Sequence, residues 1–411
     1  MLFVMTWRNL SRRKRRTLIS AFTVAGGIFF SVAFTATGDY AYTNMINTSA
    51  TMGFGHVTIE PAGYNLRPTL QKRIGGAGDI RKKALAIEGV TDAVVRITGQ
   101  AMFASAAKSV GGVFIAVDPA QESHKNNIYV RSMVEGSMFD KTDGRKVVVG
   151  WKMAKKMNLR IGKKLVYTTT DVNGEIVSEV GRVSGIFKTG VDAADGSIAL
   201  IPIDKMRSIL HYGPDEATLV SVFIDDQRLA GRMRDVIASS LAMKGVDILT
   251  WSQTQADMAG IIAIDRRMNY LSQFLVGLVI AAGILNTMFM SVLERKREFG
   301  IMMAVGMTPG RLFRLVLLES LWLGLLGVIM GVIITIPAYI YMSNTGIDLS
   351  SFVEDGADVG GVLIDPIMKY RLYKESVIAI LSGVFALTIL AGLYPAFKAG
   401  RAAPVENLKI V

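Results

Sequence analysis

The segment Glu294-Arg-Lys-Arg-Glu-Phe-Gly-Ile-Met-Met-Ala-Val-Gly-Met-Thr-Pro-Gly-Arg311 sets a run of charged side chains directly before a short apolar one. Carboxylates and guanidiniums so placed can make charge-assisted hydrogen bonds to another protein surface, and the apolar residues behind them can bury area against it. This is the chemistry of docking, without bond making or breaking. The residues that could carry it are Glu294, Arg295, Arg297, Glu298, Phe299, Gly300, Ile301, Ala304 and Gly306. Gly306 can stop Glu298–Val305 in a left-handed cap, and Thr308-Pro309 then restarts a helix as N-cap and first-turn proline. The apolar side, Phe299, Ile301, Met302 and Val305, needs a cover: a docked protein is one solution, the basic N-terminal segment another.

Residues for covalent or metal chemistry are missing. The chain contains no G-x-x-x-x-G-K-[ST] loop, no G-x-S-x-G elbow and no H-E-x-x-H. Its histidines, His56, His124 and His211, are far apart, and with no cysteine a site of soft metal ligands is not expected. No catalytic residue and no directly bound cofactor or metal are assigned.

Four apolar windows frame the docking segment and the rest of the chain: Leu18–Gly38, Tyr270–Leu293, Leu315–Met342 and Val377–Phe397. At about 1.5 Å of rise per residue each can cross about 30 Å of hydrocarbon, so we read four transmembrane helices. The acidic residue within them is Glu319, placed near one end, where the cost falls well below the roughly 2.5–3.5 kcal/mol of a mid-bilayer charge. It is expected to anchor a helix end against Arg311 or Arg314 rather than relay protons. Gly324, Gly327 and Gly331 form small-residue spacings that let another helix approach.

Basic residues set the orientation. Arg8, Arg12, Arg13, Lys14, Arg15 and Arg16 precede the first window, Arg295, Lys296, Arg297, Arg311 and Arg314 lie between the second and third, and Lys398, Arg401 and Lys409 follow the last. The positive-inside tendency puts these in the cytoplasm, with both termini, and puts residues 39–269 outside. The loop from Ser343 to Ser376, richer in acids than bases, fits the outer side. The first window is longer than a signal-peptide core and lacks a good cleavage site, so it reads as an uncleaved anchor. Phe3, Trp7 and Leu10 have helical spacing; the segment either lies flat at the inner interface or continues the first helix inward. A net charge of +12 does not indicate nucleic acid, because a large share of the cations sits at the membrane boundaries.

Residues 39–269 are patterned as a globular α+β domain inserted between the first and second membrane helices, a one-plus-three arrangement. Strands are expected at His56–Glu60, Ala93–Ile97, Val113–Val117, Lys146–Val149, Leu165–Thr169, Val177–Ile186, Ile198–Ile201 and Val220–Ile224. Helices are expected at Asp79–Glu88, Trp151–Asn158, Asp204–Leu210 and Gln227–Met243. A strand-rich subdomain spans 119–202, with turn signals at Asp143-Gly144, Asn173-Gly174 and Asp195-Gly196. Trp251–Asn269 is expected to run straight into the second membrane helix as a stalk. The chain thus divides into an N-terminal segment and first span (1–38), the outer domain (39–269), and three spans with the docking loop 294–314 (270–411).

The stretch Glu294–Arg314, with Leu315-Val-Leu-Leu-Glu-Ser320 after it, resembles the coupling region of FtsX-like ABC-transporter permeases, whose pattern is E-R-x-R-E-F-G-I-x-x-A-x-G-x-x-x-x-x-L. Trp7-Arg-Asn-Leu-Ser-Arg-Arg-Lys-Arg-Arg-Thr17, Tyr394-Pro-Ala-Phe-Lys-Ala and Ala403-Pro-Val-Glu-Asn-Leu408 agree as well. Within the outer domain, Val149–Gly162 and Val183–Gly190 are similar to lipoprotein-releasing permeases and their macrolide-exporter relatives. The resemblance implies a transport subunit of the bacterial inner membrane with no nucleotide hydrolysis of its own. It implies as well that such a subunit pairs with a second copy or paralogue and that a separate ABC ATPase dimer, holding ATP and magnesium, docks on the loop. A start so near the first span favours that separate ATPase over a fused one.

For the lipoprotein branch, the resemblance implies extraction of a lipoprotein or other amphipathic substrate from the outer leaflet and transfer to a periplasmic carrier or adaptor. Substrate would then meet the outer ends of the first two spans, at Phe30, Phe34, Tyr40 and Met45 (with Tyr42) and at Tyr270, Phe274 and Leu278 (with Met268). Two other roles are open to such a chain: mechanotransmission to an extracytoplasmic enzyme, and sensing on behalf of a kinase. The continuation Thr35-Ala-Thr-Gly-Asp-Tyr40 and the lack of a recognisable carrier-binding loop depart from the lipoprotein pattern.

Overall fold

A computed structural model describes residues 5, 6, 8, 14–349, 358–359, 362–363 and 367–401. The interfacial reading of Phe3, Trp7 and Leu10 and the tail motif Ala403–Leu408 lie outside the described residues. The chain forms two units, one of Met1–Ala41, Ile264–Leu349 and Ile367–Val411, the other of Tyr42–Ala263 with Ser350–Pro366.

Among the described residues, four helices are long and apolar enough to cross a membrane: Lys14–Phe54, Ala256–Glu294, Pro309–Asn344 and Lys374–Gly400, with mean hydropathies of 1.9 to 2.3. Each contains one expected window. In the first unit they pack through small residues. A Cβ on Gly327 would lie 2.5 Å from Val24 Cβ, and one on Gly331 would lie 2.8 Å from Ile28 Cδ1. The glycine spacing of the third helix therefore holds the first helix of the same chain. Gly324 faces Thr388 and Gly392 faces Ser320, joining the third and fourth helices.

The second unit is built on a ten-stranded mixed sheet. Its strands are β1 (Val57–Pro61), β2 (Val90–Ala104), β3 (Ser109–Val117), β4 (Met133–Gly136), β5 (Lys146–Gly150), β6 (Lys164–Thr170), β7 (Ile176–Phe187), β8 (Ile198–Pro202), β9 (Leu219–Ile224) and β10 (Val246–Thr250). The long β2 makes the design work. Its first part, Val90–Arg96, pairs with β9, and its last residues, Met102–Ala104, pair with β6. Pairings β2–β3, β3–β8, β8–β5, β5–β7 and β7–β6 then return to β2 and close a ring of six strands. Closure leaves those strands few open edges. Strands on either side of residue 119 thus belong to one continuous sheet. Beyond β9, β1 and β10 extend it as an open sheet, against which helices Ala77–Leu85 and Ala230–Leu241 bury Ile80, Ala84, Ile237 and Leu241.

All eight expected strands are present, and β4 and β10 are additional. Two expectations need correction. Trp251–Thr254 is a single turn started by a Thr250–Gln253 capping box, and Gln255 (φ −120°, ψ 58°) breaks it before the long helix starts at Ala256, so no straight stalk begins at Trp251. Asp195 does not mark an open turn. It lies in the short helix Asp192–Ser197, fully buried, accepting hydrogen bonds from the Thr189 amide and hydroxyl, the Gly190 amide and the Trp151 indole.

The first helix continues past Gly38 to Ser49 and ends in a π-turn, Ala50–Phe54, where Gly53 takes φ 150°, ψ −29°. Only glycine adopts that backbone without strain. Side chains of the sheet and its loops hold it: Arg96 Nη1 donates to the Gly53 carbonyl at 2.9 Å, the Ser221 hydroxyl donates to the same oxygen, and Tyr129 OH donates to the Met52 carbonyl at 3.0 Å. Arg96 is itself buried and paired with Glu122 at 2.7 Å.

Candidate functional site

The charged run folds as a break between helices. Glu294 ends the second long helix, Arg295 is non-helical in ψ (φ −103°, ψ 9°), and a short helix follows over Lys296–Ala304. Its end is closed by paired backbone bonds, from the Gly306 amide to the Met303 carbonyl (3.0 Å) and from Met307 to Met302 (2.9 Å), with Gly306 at φ +103°. This is a Schellman arrangement, in which the residue after the cap must be left-handed. Thr308 is extended, Pro309 opens the next helix, and the Thr308 carbonyl accepts from Arg311 and Leu312.

Arg295 is the organising side chain, 4% exposed. Its Nη1 donates to both oxygens of Glu319 at 2.8 and 3.1 Å, its Nε donates to Glu298 at 2.9 Å, and the guanidinium lies 5.0 Å from the centre of the buried Phe299 ring. The expected partners of Glu319, Arg311 and Arg314, are instead exposed. On one helix, residues five apart are turned by about 140° and do not meet, whereas Arg295 enters from the preceding break. Glu294 pairs with Arg16 of the first helix at 2.8 Å.

The short helix is two-sided. Phe299 and Gly300 are buried, and Met302 and Met303 pack into the helical core. Arg297, Glu298, Ile301, Ala304 and Val305 form an exposed stripe at helical spacing, with Ile301 50% and Val305 84% exposed. The apolar side expected from the sequence is thus split: Phe299 and Met302 face inward, Ile301 and Val305 outward.

A groove of about 340 Å³ runs between the second and last helices of the same unit. Tyr270, Phe274 and Leu278, spaced by one turn, line it with Gln273 and Gly277, opposite Ile380 and Val384. Among the described residues none that lines it carries a charge. The other proposed cavity residues are not gathered there. Phe30 and Phe34 are exposed on the first helix, whose contribution to the groove is Ser31, and Tyr40 is half-buried outside it. Met45 packs in the other unit against Tyr42, Ile46, Met258 and Ile262, and Tyr42 is itself buried. Sequence reading missed the polar ties between the first and second helices, Gln273 to Thr35 at 2.7 Å and the Asn269 amide to the Phe34 carbonyl at 3.3 Å. The signal was there in two amides one turn apart.

The profile of the MacB-like periplasmic core domain matches residues 17–239, more than half of the chain, and that of the FtsX-like permease C-terminal region matches residues 271–404. The chain belongs to the FtsX-like permeases. Its second unit falls largely in the first match and the segment Glu294–Arg311 in the second. Among relatives of this FtsX-like permease, the lipoprotein-releasing system transmembrane protein LolC of Neisseria meningitidis is 21% identical over 78% of this chain and 79% of its own. An uncharacterised ABC transporter permease of Methanocaldococcus jannaschii is 22% identical over 98% of this chain and 96% of its own. The crystal structure of the periplasmic region of MacB from Actinobacillus actinomycetemcomitans superposes with a TM-score of 0.35 at 14% identity, covering 50% of this chain and 93% of that one. The relatives are ABC-transporter permease subunits, and this chain is an ABC-transporter permease of that family.

Proposed function

We propose that this permease extracts a lipoprotein or similarly lipid-anchored substrate from the outer leaflet of the inner membrane, driven by a separate ATPase that docks on the exposed stripe of the Lys296–Ala304 helix. The observation that carries the reading is the uncharged groove lined by Tyr270, Phe274 and Leu278. An acyl chain gains roughly 0.8 kcal/mol per buried methylene, so such a lining holds a lipid anchor without any catalytic group. The name of the Neisseria relative supports the same substrate class. With no phosphate-binding loop in the sequence, ATP and magnesium belong to the partner. In this reading both termini and the docking helix are cytoplasmic, the MacB-like domain is extracytoplasmic, and a second copy or paralogue completes the transporter, with a carrier or adaptor receiving the cargo.

A photo-crosslinking residue at Phe274 tests it, with Phe34 as the comparison. Phe274 should capture lipoprotein when the ATPase is idle and release it during turnover. Capture of bulk phospholipid alone in both states would discard extraction and leave mechanotransmission to an extracytoplasmic enzyme as the better reading.

A further inference from the structure

The α/β unit contains a second hollow, of about 610 Å³, in the size range of small-molecule sites. The π-turn at the end of the first helix supplies Met52 and Phe54 to its wall, β3 supplies Ile115, and Ala193 and Ser197 come from the short helix before β8. Among the described residues its lining includes one carboxylate, Glu60, and no lysine, arginine or histidine.

Glu60 is an unusual residue for its place. It lies in β1, every residue of which is buried, and is itself 2% exposed. One oxygen accepts the Asn65 amide at 2.8 Å. Lys72, whose charge bears on Glu60, donates its ammonium to the Gly63 carbonyl, and Asp247, which also bears on it, accepts the Gly63 amide. Burial raises the Glu60 carboxyl to about 7. A buried carboxylate is costly unless a cation meets it, and packing alone would be served better by an apolar side chain. The adjoining π-turn is a second irregularity of a kind that concentrates at functional sites.

We propose that this hollow binds a small cationic amphiphile, its ammonium against Glu60 and its apolar body against Met52, Phe54 and Ile115. The lack of a cation among the described lining residues works against fatty acids and phosphorylated ligands. The inference stands apart from the transported cargo, since it concerns neither the groove nor the docking helix.

Binding of dansylcadaverine to the full-length protein in phosphatidylcholine nanodiscs at pH 8, followed by fluorescence anisotropy against empty discs, tests it. Saturable binding is expected, weakened roughly tenfold or more by Glu60→Gln, since a hydrogen bond to a charged group is lost. A dansyl amide of the same length without the amine should bind the native protein no better than dansylcadaverine binds that variant. Ala193→Trp, a change at an exposed wall residue, should abolish binding. Equal binding of amine and neutral probe, or unchanged binding in Ala193→Trp, overturns the proposal. If Glu60→Gln fails to fold, the other two comparisons decide.

Discussion

Arg295 Nη1 lies within 3.1 Å of both carboxylate oxygens of Glu319, joining the break before the short helix Lys296–Ala304 to the third long helix across a buried ion pair. Removing one partner of such a pair strands the other charge and costs about 3–5 kcal/mol, whereas replacing both by apolar residues can cost little. Arg295→Ala and Glu319→Ala should each lower the thermal midpoint of the purified permease markedly. The double variant Arg295→Met/Glu319→Leu should regain most of the loss. Additive losses in the double variant would show that the two side chains do not act as a pair.

The outward and inward halves of the docking helix should separate in experiment. Ile301→Asp and Val305→Asp change exposed positions, so folding should shift by no more than about 0.5 kcal/mol, while affinity for the cognate ATPase should fall on the order of tenfold or more. Phe299→Ala should do the reverse first, destabilising the fold by about 3–5 kcal/mol through a cavity beneath Arg295. Full ATPase binding by Ile301→Asp would remove the exposed stripe as the docking face.

Gly327 and Gly26 make a matched pair for the helix packing. A methyl group on Gly327 would meet Val24 at 2.5 Å, whereas one on Gly26 would meet nothing within 4 Å. Gly327→Ala should therefore destabilise by about 1–3 kcal/mol as the first and third helices are forced apart, and Gly26→Ala should be neutral or slightly stabilising. Thermal unfolding in detergent reads both, and equal effects would contradict the close approach.

What could be read from the chain follows from where the determining contacts lie. Apolar windows and alternating strands are local patterns, so the four long helices and strands such as Val177–Ile186 were legible. Gln255 was not, because nothing in its type announces a non-helical residue inside a helical composition. Strand β10 escaped because all its residues but the buried Thr250 are only half-buried and do not alternate cleanly. The site was legible as a segment but not as a set of partners. Arg295 reaches Glu319 across 24 positions, Met45 belongs to another packing cluster, and the groove needs a facing helix a hundred residues away, none of which leaves a periodic trace.

Orientation can be tested with single cysteines, since the chain has none. Lys125 and Thr308 are both exposed and fall in the MacB-like domain and beside the docking helix. In intact spheroplasts a membrane-impermeant thiol reagent should label Lys125→Cys and spare Thr308→Cys, with both labelled after lysis. Labelling of Thr308→Cys before lysis would invert the proposed topology.

His56 and Glu60 should make opposite contributions to stability between about pH 4 and 7. Burial lowers the His56 imidazole from 6.5 to about 4, while its ring is held by Asn47 at 2.9 Å and the Ile224 amide at 3.2 Å. Between those values the unfolded chain binds the proton more readily, so this group makes the fold less stable as pH falls from 6.5 to 4. Burial raises Glu60 from 4.5 to about 7, so between those values the folded chain binds the proton more readily, and acidification from 7 to 4.5 stabilises. The two slopes largely offset each other in the native protein. Glu60→Gln removes one of them, and the thermal midpoint of that variant relative to native should fall steadily as pH is lowered from 7 to 4.5. His56→Gln should show the opposite trend, its midpoint relative to native rising on acidification from 6.5 to 4. Parallel pH profiles for native protein and both variants would mean that neither group titrates with the shift its burial implies.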